Sequence, residues 1–139
     1  MSMEKMTVDT GIKSYRINGG GVLRFNPGDP NVYGRFMEAV EKIRTMEQQL
    51  QQEQGDVLQA LCRLDKQIKA LLGEVFGAGN DFDDILGGVN LLAVAANGER
   101  VITNLLTALQ PVLTEGARRC AGQVVQAAMD QAQARRARC

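Results

Sequence analysis

Residues 36–75 read FMEAVEKIRTMEQQLQQEQGDVLQALCRLDKQIKALLGEV, and apolar side chains recur along this stretch at alternating steps of four and three residues. This spacing places them on one side of an α-helix, which is the pattern of two helices that pack lengthwise. We call these positions the seam. The seam predicts an interface for a partner helix, and its members are Phe36, Val40, Ile43, Leu50, Val57, Leu61, Leu64, Ile68, Leu71 and Val75.

The continuity of this helix depends on Gly55 and Asp56, because glycine can end a helix and aspartate can cap the next one. The seam keeps its seven-residue register across Gly55, which a loop has no reason to preserve. We therefore expect one helix over residues 30–75, about 69 Å long at about 1.5 Å per residue. A break at Gly55 is the alternative. Glu47 and Gln54 are the polar seam positions, and they either select the partner or face water.

A β-hairpin is predicted over residues 12–26, where two short alternating runs surround the three glycines at 19–21. Glycine supplies the positive φ that tight hairpin turns require. A single hairpin needs support, either from helices of its own chain or from strands of a neighbouring subunit. Asp29 followed by Pro30 then predicts the start of the first helix.

The glycine-rich stretch 76–98 predicts the end of that helix and a connection to the next. We expect the helix to end at Gly77 or Gly79, and Asn80 or Asp81 to cap a short turn. The following residues predict a buried loop or a short strand.

A second long helix is predicted from about Asn97, with apolar residues at helical spacing and a kink at Pro111. The fold class is therefore mainly α with an N-terminal β-hairpin (α+β), in which the long seam helix packs on C-terminal helices. We expect a flexible N-terminus over residues 1–11, one domain over 12–129, and a basic flexible tail over 130–139 that frays.

The residue types argue against catalysis. The chain has no histidine, which removes the commonest general base and every histidine-containing zinc site. We interpret Cys62 and Cys120 as small buried hydrophobic residues. The acidic cluster around Asp83 lacks the ligand spacing of an EF-hand loop. We therefore predict no enzyme activity, no cofactor, no metal and no small-molecule substrate.

Charge and hydropathy limit the partners. Sixteen lysine and arginine residues balance sixteen aspartate and glutamate residues, so no overall field attracts nucleic acid or an acidic bilayer. Aromatic residues make up only 4% of the chain, which argues against platforms for base stacking. No apolar stretch is long enough to span a membrane and no export signal is seen, so we expect a cytoplasmic protein.

Three stretches resemble a known family: FNPGDPNVYGRF (25–36), LDKQIKALLGEVFGAG (64–79) and DILGGVNLLAVAANGERVITNLLTALQPVLTEG (84–116). The family comprises small proteins encoded in the tail gene modules of siphophages and prophages of Gram-positive bacteria. The resemblance implies a tail assembly chaperone, which coats the helical tape measure protein while the tail tube polymerises around it. It implies no functional residue at any numbered position.

These features together predict a self-associating tail assembly chaperone in the cytoplasm of a bacterial host cell. Its expected partners are further copies of itself and the tape measure protein or another tail protein. Two alternatives stay open. One is a structural virion protein, such as a tail or connector subunit, and the other is a small nucleic-acid-binding regulator that uses the arginine-rich C-terminus.

Overall fold

This computed structural model describes residues 2–137. They contain four helices and one N-terminal β-hairpin. The predicted fold class is confirmed. In chain order the elements are β1 (Lys13–Arg16), β2 (Val22–Phe25), α1 (Pro30–Leu50), α2 (Val57–Phe76), α3 (Phe82–Ile85) and α4 (Val101–Ala137).

The predicted continuous helix over residues 30–75 is wrong, because α1 ends at Leu50 and α2 begins at Val57. The Asp56 carboxylate accepts hydrogen bonds from the backbone N–H groups of Leu58 and Gln59, at 3.0 and 3.3 Å, and so caps α2. The two helices then fold back on each other, and the guanidinium of Arg35, near the start of α1, donates to the carbonyl of Val75, near the end of α2.

This antiparallel packing explains why apolar residues recur at helical spacing on both sides of the break. Both halves of the seam face the same core, so both need apolar residues on the same side of their helices. This packing does not fix the phase of one helix relative to the other across the connection, so the register kept across Gly55 did not establish a single helix.

The hairpin over residues 12–26 is confirmed, and its strands pair antiparallel with Tyr15 opposite Leu23. Asn18 and Gly19 have φ values of 53° and 72°, so the positive φ falls one residue earlier than the glycine run predicts. Gly21 serves another purpose. A Cβ there would clash with the backbone of Ile85, so glycine lets the hairpin approach α3 closely.

The core lies between α1, α2, the first half of α4 and the inner face of the hairpin. Phe25 of β2 packs against Phe76 at the end of α2, with ring centroids 4.8 Å apart. Asp29 and Asp81 cap α1 and α3, as the sequence predicts. The core residues with no exposed surface are Ile68, Leu72, Leu91, Ile102 and Leu113.

Helix α4 begins at Val101, four residues after the predicted start, because residues 94–100 form a turn closed by a bridge between Val94 and Arg100. The helix continues across Pro111. The expected tail from residue 130 is helical as far as Ala137, which follows from the high helix propensity of alanine, glutamine and arginine. Residues 138 and 139 lie outside the described residues.

The N-terminal residues 2–11 have no regular secondary structure, and all of them are exposed. The Thr10 carbonyl accepts a hydrogen bond of 2.9 Å from the side-chain amide of Asn26. The predicted burial of the cysteines is wrong for Cys62, which is exposed on α2, while Cys120 is half-buried. Cys62 follows the half-buried Leu61 on the solvent side of the helix.

Candidate functional site

The fold divides the predicted partner-helix interface into three groups. Five seam residues are buried in the chain's own core: Phe36, Ile43, Leu64, Ile68 and Val75. Four are half-buried and pack against that core: Val40, Leu50, Leu61 and Leu71. Val57, at the start of α2, is 50% exposed. The buried five pack in the chain's own core, because α1 and α2 cover each other's seam and leave these side chains little surface to offer a partner.

The polar seam positions follow the same division. Gln54 lies exposed in the loop between α1 and α2, and Glu47 is half-buried near the end of α1. For Gln54, the alternative that it faces water is the one that the structure supports.

An apolar groove separates the hairpin from α4, and it encloses about 540 Å³. Tyr15 and Ile17 form its wall on the side of β1, and Leu86 and Val89 contribute from the segment after α3. The wall on α4 is a helical face with spacings of three and four residues, made of Val101, Leu105, Ala108, Leu109 and Val112. A concave, mostly apolar surface with a few polar groups is the usual form of a binding site.

The sheet presents one uncapped edge beside this groove. On the outer edge of β2, the Asn80 side chain accepts from the Arg24 N–H at 2.9 Å and donates to the Arg24 carbonyl at 2.8 Å. The backbone groups of Arg24 therefore point away from β1. Since Ser14 is directly opposite Arg24 and Arg16 is two residues on, their backbone groups point away from β2 in the same way.

Among the described residues, no other backbone group pairs with those of Ser14 and Arg16. The β1 edge is thus a row of donors and acceptors that a further strand can use.

The second half of α4 leaves the body of the protein, and every side chain from residue 121 to 137 is exposed. It is amphipathic in its own right. Its apolar residues share one side of the helix, which we call the outer face: Ala121, Val124, Val125, Ala128, Met129 and Ala132. The opposite side carries glutamines and Asp130.

The outer face points away from the body. The first half of α4 packs through Ile102, Leu105, Leu109, Leu113 and Gly116. Continuing that phase along the helix leads to positions 120, 123 and 127, which are not members of the outer face. Val125 and Met129 are 58% and 54% exposed.

A buried charge cluster centres on Lys69 of α2. Its Nζ lies 3.0 Å from Asp65 and 2.6 Å from Asp83, and it also donates to the Val89 carbonyl at 2.8 Å. Asp65 in turn accepts from the Leu91 N–H at 2.7 Å. The cluster ties α2 to α3 and to the following loop.

The Lys69 amine stays protonated at neutral pH. Burial by itself would lower its pKa, but the hydrogen bonds to Asp83 and Asp65 outweigh burial and raise the pKa above the ordinary 10.5. The contacts of this amine with Asp83 and the Val89 carbonyl join α2 to α3 and to the following loop, which is a structural role. Sequence spacing places Asp65 and Lys69 one turn apart, whereas the partnership with Asp83 depends on the tertiary fold. Within residues 2–137, no group of three or more histidine, cysteine or acidic residues is arranged to hold a metal ion.

Comparison of the chain with protein-family models, with curated proteins and with solved structures finds no match to any of them. In the described part of the chain, every helix is too short or too polar to cross a membrane. Assignment of a role therefore starts from the surfaces themselves, which are the groove, the β1 edge and the outer face of α4.

Proposed function

We propose that this protein is a tail assembly chaperone, which binds the helical tape measure protein during phage tail morphogenesis in the cytoplasm of the bacterial host. The observation that carries the proposal is the outer face of α4, an apolar helical surface turned away from the protein's own core. The resemblance of residues 25–36, 64–79 and 84–116 to siphophage tail-module proteins supports the identity of the partner.

An exposed amphipathic helix is suited to a helical partner. About seventeen helical residues with nothing packed on them are only marginally stable in water, so a second helix along the outer face would stabilise them. Binding would bury Val124, Val125 and Met129 in a helix-to-helix contact of the kind that the seam predicted for α1 and α2.

The charge of this half of α4 indicates the chemistry of the partner. Residues 117–137 carry four arginines, at positions 118, 119, 135 and 136, against Asp130 as their acidic residue. An apolar helical segment flanked by acidic residues is therefore the complementary partner. A tape measure protein offers many helical segments along one chain, so weak contacts by many copies would add up to stable coverage.

The test is co-purification of the protein with the tape measure protein from the same tail gene module. We expect Val125→Glu with Met129→Glu to abolish co-purification, because both substitutions place charge on the outer face. The matched control is Gln123→Glu with Ala127→Glu, which adds the same charge at the same four-residue spacing on the opposite side of α4 and should leave binding unchanged. Equal binding by both double variants would overturn the outer face as the binding surface.

The structural virion alternative is separated by a second measurement. Mass spectrometry of purified virions should find this protein absent or far below the amount of the tail tube subunit. A stoichiometric amount in finished particles would replace the chaperone function with a structural one.

A further inference from the structure

The N-terminal residues 2–12, which we call the arm, include at 5–9 the alternating pattern of a β-strand without a partner. Met6 and Val8 alternate with Lys5, Thr7 and Asp9, the period expected of a strand with one apolar side. Yet Met6 is 89% exposed and Val8 is 69% exposed. A strand pattern with its apolar side in water indicates a segment that pairs elsewhere.

The place that fits the arm is the β1 edge above the groove. Ser14 and Arg16 present backbone donors and acceptors there, and Asn80 already occupies the opposite edge of the sheet. A strand added to β1 would direct alternate side chains to the inner side of the sheet, where Tyr15 and Ile17 line the groove. Backbone pairing and apolar pockets are the two requirements of strand addition.

Charge favours the same pairing. The hairpin carries Lys13, Arg16 and Arg24 with no acidic residue. The arm carries Glu4 and Asp9 against Lys5. When Met6 and Val8 face the groove, Lys5 and Asp9 lie on the outer side of the sheet and Glu4 lies on the inner side, so the arm brings one more acidic than basic residue to the basic hairpin.

The arm does not reach this edge of its own hairpin in the structure. It leads directly into β1, and the Thr10 carbonyl is bound to Asn26, just beyond the end of β2. We propose that the arm of a second copy of this chain adds as a strand to β1, with Met6 and Val8 in the groove. Each copy has one arm and one open edge, so a reciprocal exchange closes a dimer and a head-to-tail exchange extends an oligomer.

The test measures self-association of the whole chain by sedimentation velocity. We expect Met6→Ser with Val8→Ser to raise the dissociation constant at least about 100-fold, because two apolar side chains lose their burial. Lys5→Ser with Thr7→Ser places serines on the other side of the arm without removing an apolar side chain from it, and we expect a change below about threefold, as for exposed positions.

The groove has its own pair of variants on the exposed surface of α4. Ala108→Arg fills the groove and should weaken association as strongly as the arm variant. Thr107→Arg adds the same side chain next to the groove and should have little effect. None of the substituted residues is buried, so we expect all four variants to fold. Thermal unfolding of each variant checks this expectation.

Amide exchange locates the contact. The N–H groups of Ser14 and Arg16 should be protected in the associated wild type and exchange rapidly in the arm variant. A monomeric wild type would overturn the proposal, and so would association that survives both the arm and the groove variants. Protection of these amides in a monomer would overturn it as well, because the arm would then pair within its own chain. The double substitution of Val125 and Met129 should leave association intact, so failure of the chaperone function and failure of the arm exchange give different results.

Discussion

Gly116 is the residue where α4 touches the chain just before α1. A Cβ at this position would overlap with the Pro27 carbonyl oxygen, and no rotamer change can relieve this clash with the backbone. Helix propensity alone would favour alanine here by about 1 kcal/mol. We expect the contact to prevail, and Gly116→Ala to lower the free energy of unfolding by about 2 kcal/mol, as in overpacked cores. Urea denaturation measures it.

The control is Gly122→Ala, two turns further along the same helix, where a Cβ meets nothing within 4 Å. This substitution should stabilise the helix by up to about 1 kcal/mol. The two alanine substitutions in α4 are thus expected to change the free energy of unfolding in opposite directions. Stabilisation by Gly116→Ala as well would mean that α4 does not press on Pro27.

Lys69 is the other residue whose role depends on close contacts. We expect Lys69→Met to cost about 3 kcal/mol, because it leaves the buried Asp65 without its counter-ion. Asp83→Asn is the comparison. The Asp83 side chain is 64% exposed, so its ion pair is screened by water and its loss should cost less than about 1 kcal/mol. Equilibrium unfolding of both variants at neutral pH would show a reversed order if the cluster were held mainly by Asp83.

The Lys69 cluster also predicts a pH dependence. Because the folded-state pKa is raised above 10.5, the stabilisation from this amine is complete below the unfolded pKa. It is lost as the pH rises through the folded pKa. The difference in unfolding free energy between the wild type and Lys69→Met should therefore be constant from pH 6 to 9 and narrow above about pH 10.5. A difference that narrows towards acid instead would assign the effect to Asp65.

At the scale of elements, the break between α1 and α2 rests on the Asp56 cap. Asp56→Ala removes the oxygen that accepts from two N–H groups of α2, and we expect a loss of about 1 kcal/mol. Asp56→Ser keeps an accepting oxygen and should retain most of the stability. Thermal unfolding of the two variants checks this, and equal losses would show that the carboxylate acts through its charge and not as a cap.

The elements also show how far the sequence leads. The hairpin, the caps at Asp29 and Asp81 and the end of α2 at Gly77 all follow from local chemistry, and they are found where the sequence predicts them or within a residue. The helix break at Gly55 was visible as an alternative. Apolar periodicity favoured one continuous helix over this break. Periodicity records only which side of a helix is buried, and an apolar side is needed both by one long helix and by two helices that pack on each other.

At the scale of the whole molecule, α4 consists of a half that belongs to the core and a half that does not. We expect removal of the residues after 120 to change the free energy of unfolding by less than about 1 kcal/mol, since no side chain from 121 to 137 is buried. The helical circular dichroism signal should fall. If the truncated variant is monomeric and still loses much of its free energy of unfolding, the second half of α4 packs on the body.

The candidate surfaces belong to this scale too, and they could be predicted only in part. The seam located the apolar residues correctly, but five of its ten members serve the core that α1 and α2 share. Prediction of the groove depends on the space between the hairpin and α4 in the folded chain. Prediction of the open β1 edge depends on the contact of Asn80 with Arg24 at the edge of β2. Neither relation is local in sequence.

The sequence by itself determined the hairpin, the caps at Asp29 and Asp81 and the apolar sides of the helices, because backbone propensity, capping and periodicity act over a few neighbouring residues. Only the tertiary structure decided which apolar side meets which. Burial is a property of pairs of surfaces, and contacts such as Lys69 with Asp83 and Asn80 with Arg24 join residues 14 and 56 positions apart. Half of the seam residues are therefore buried in the core. The surfaces that we propose for partners are the outer face of α4, the groove and the β1 edge.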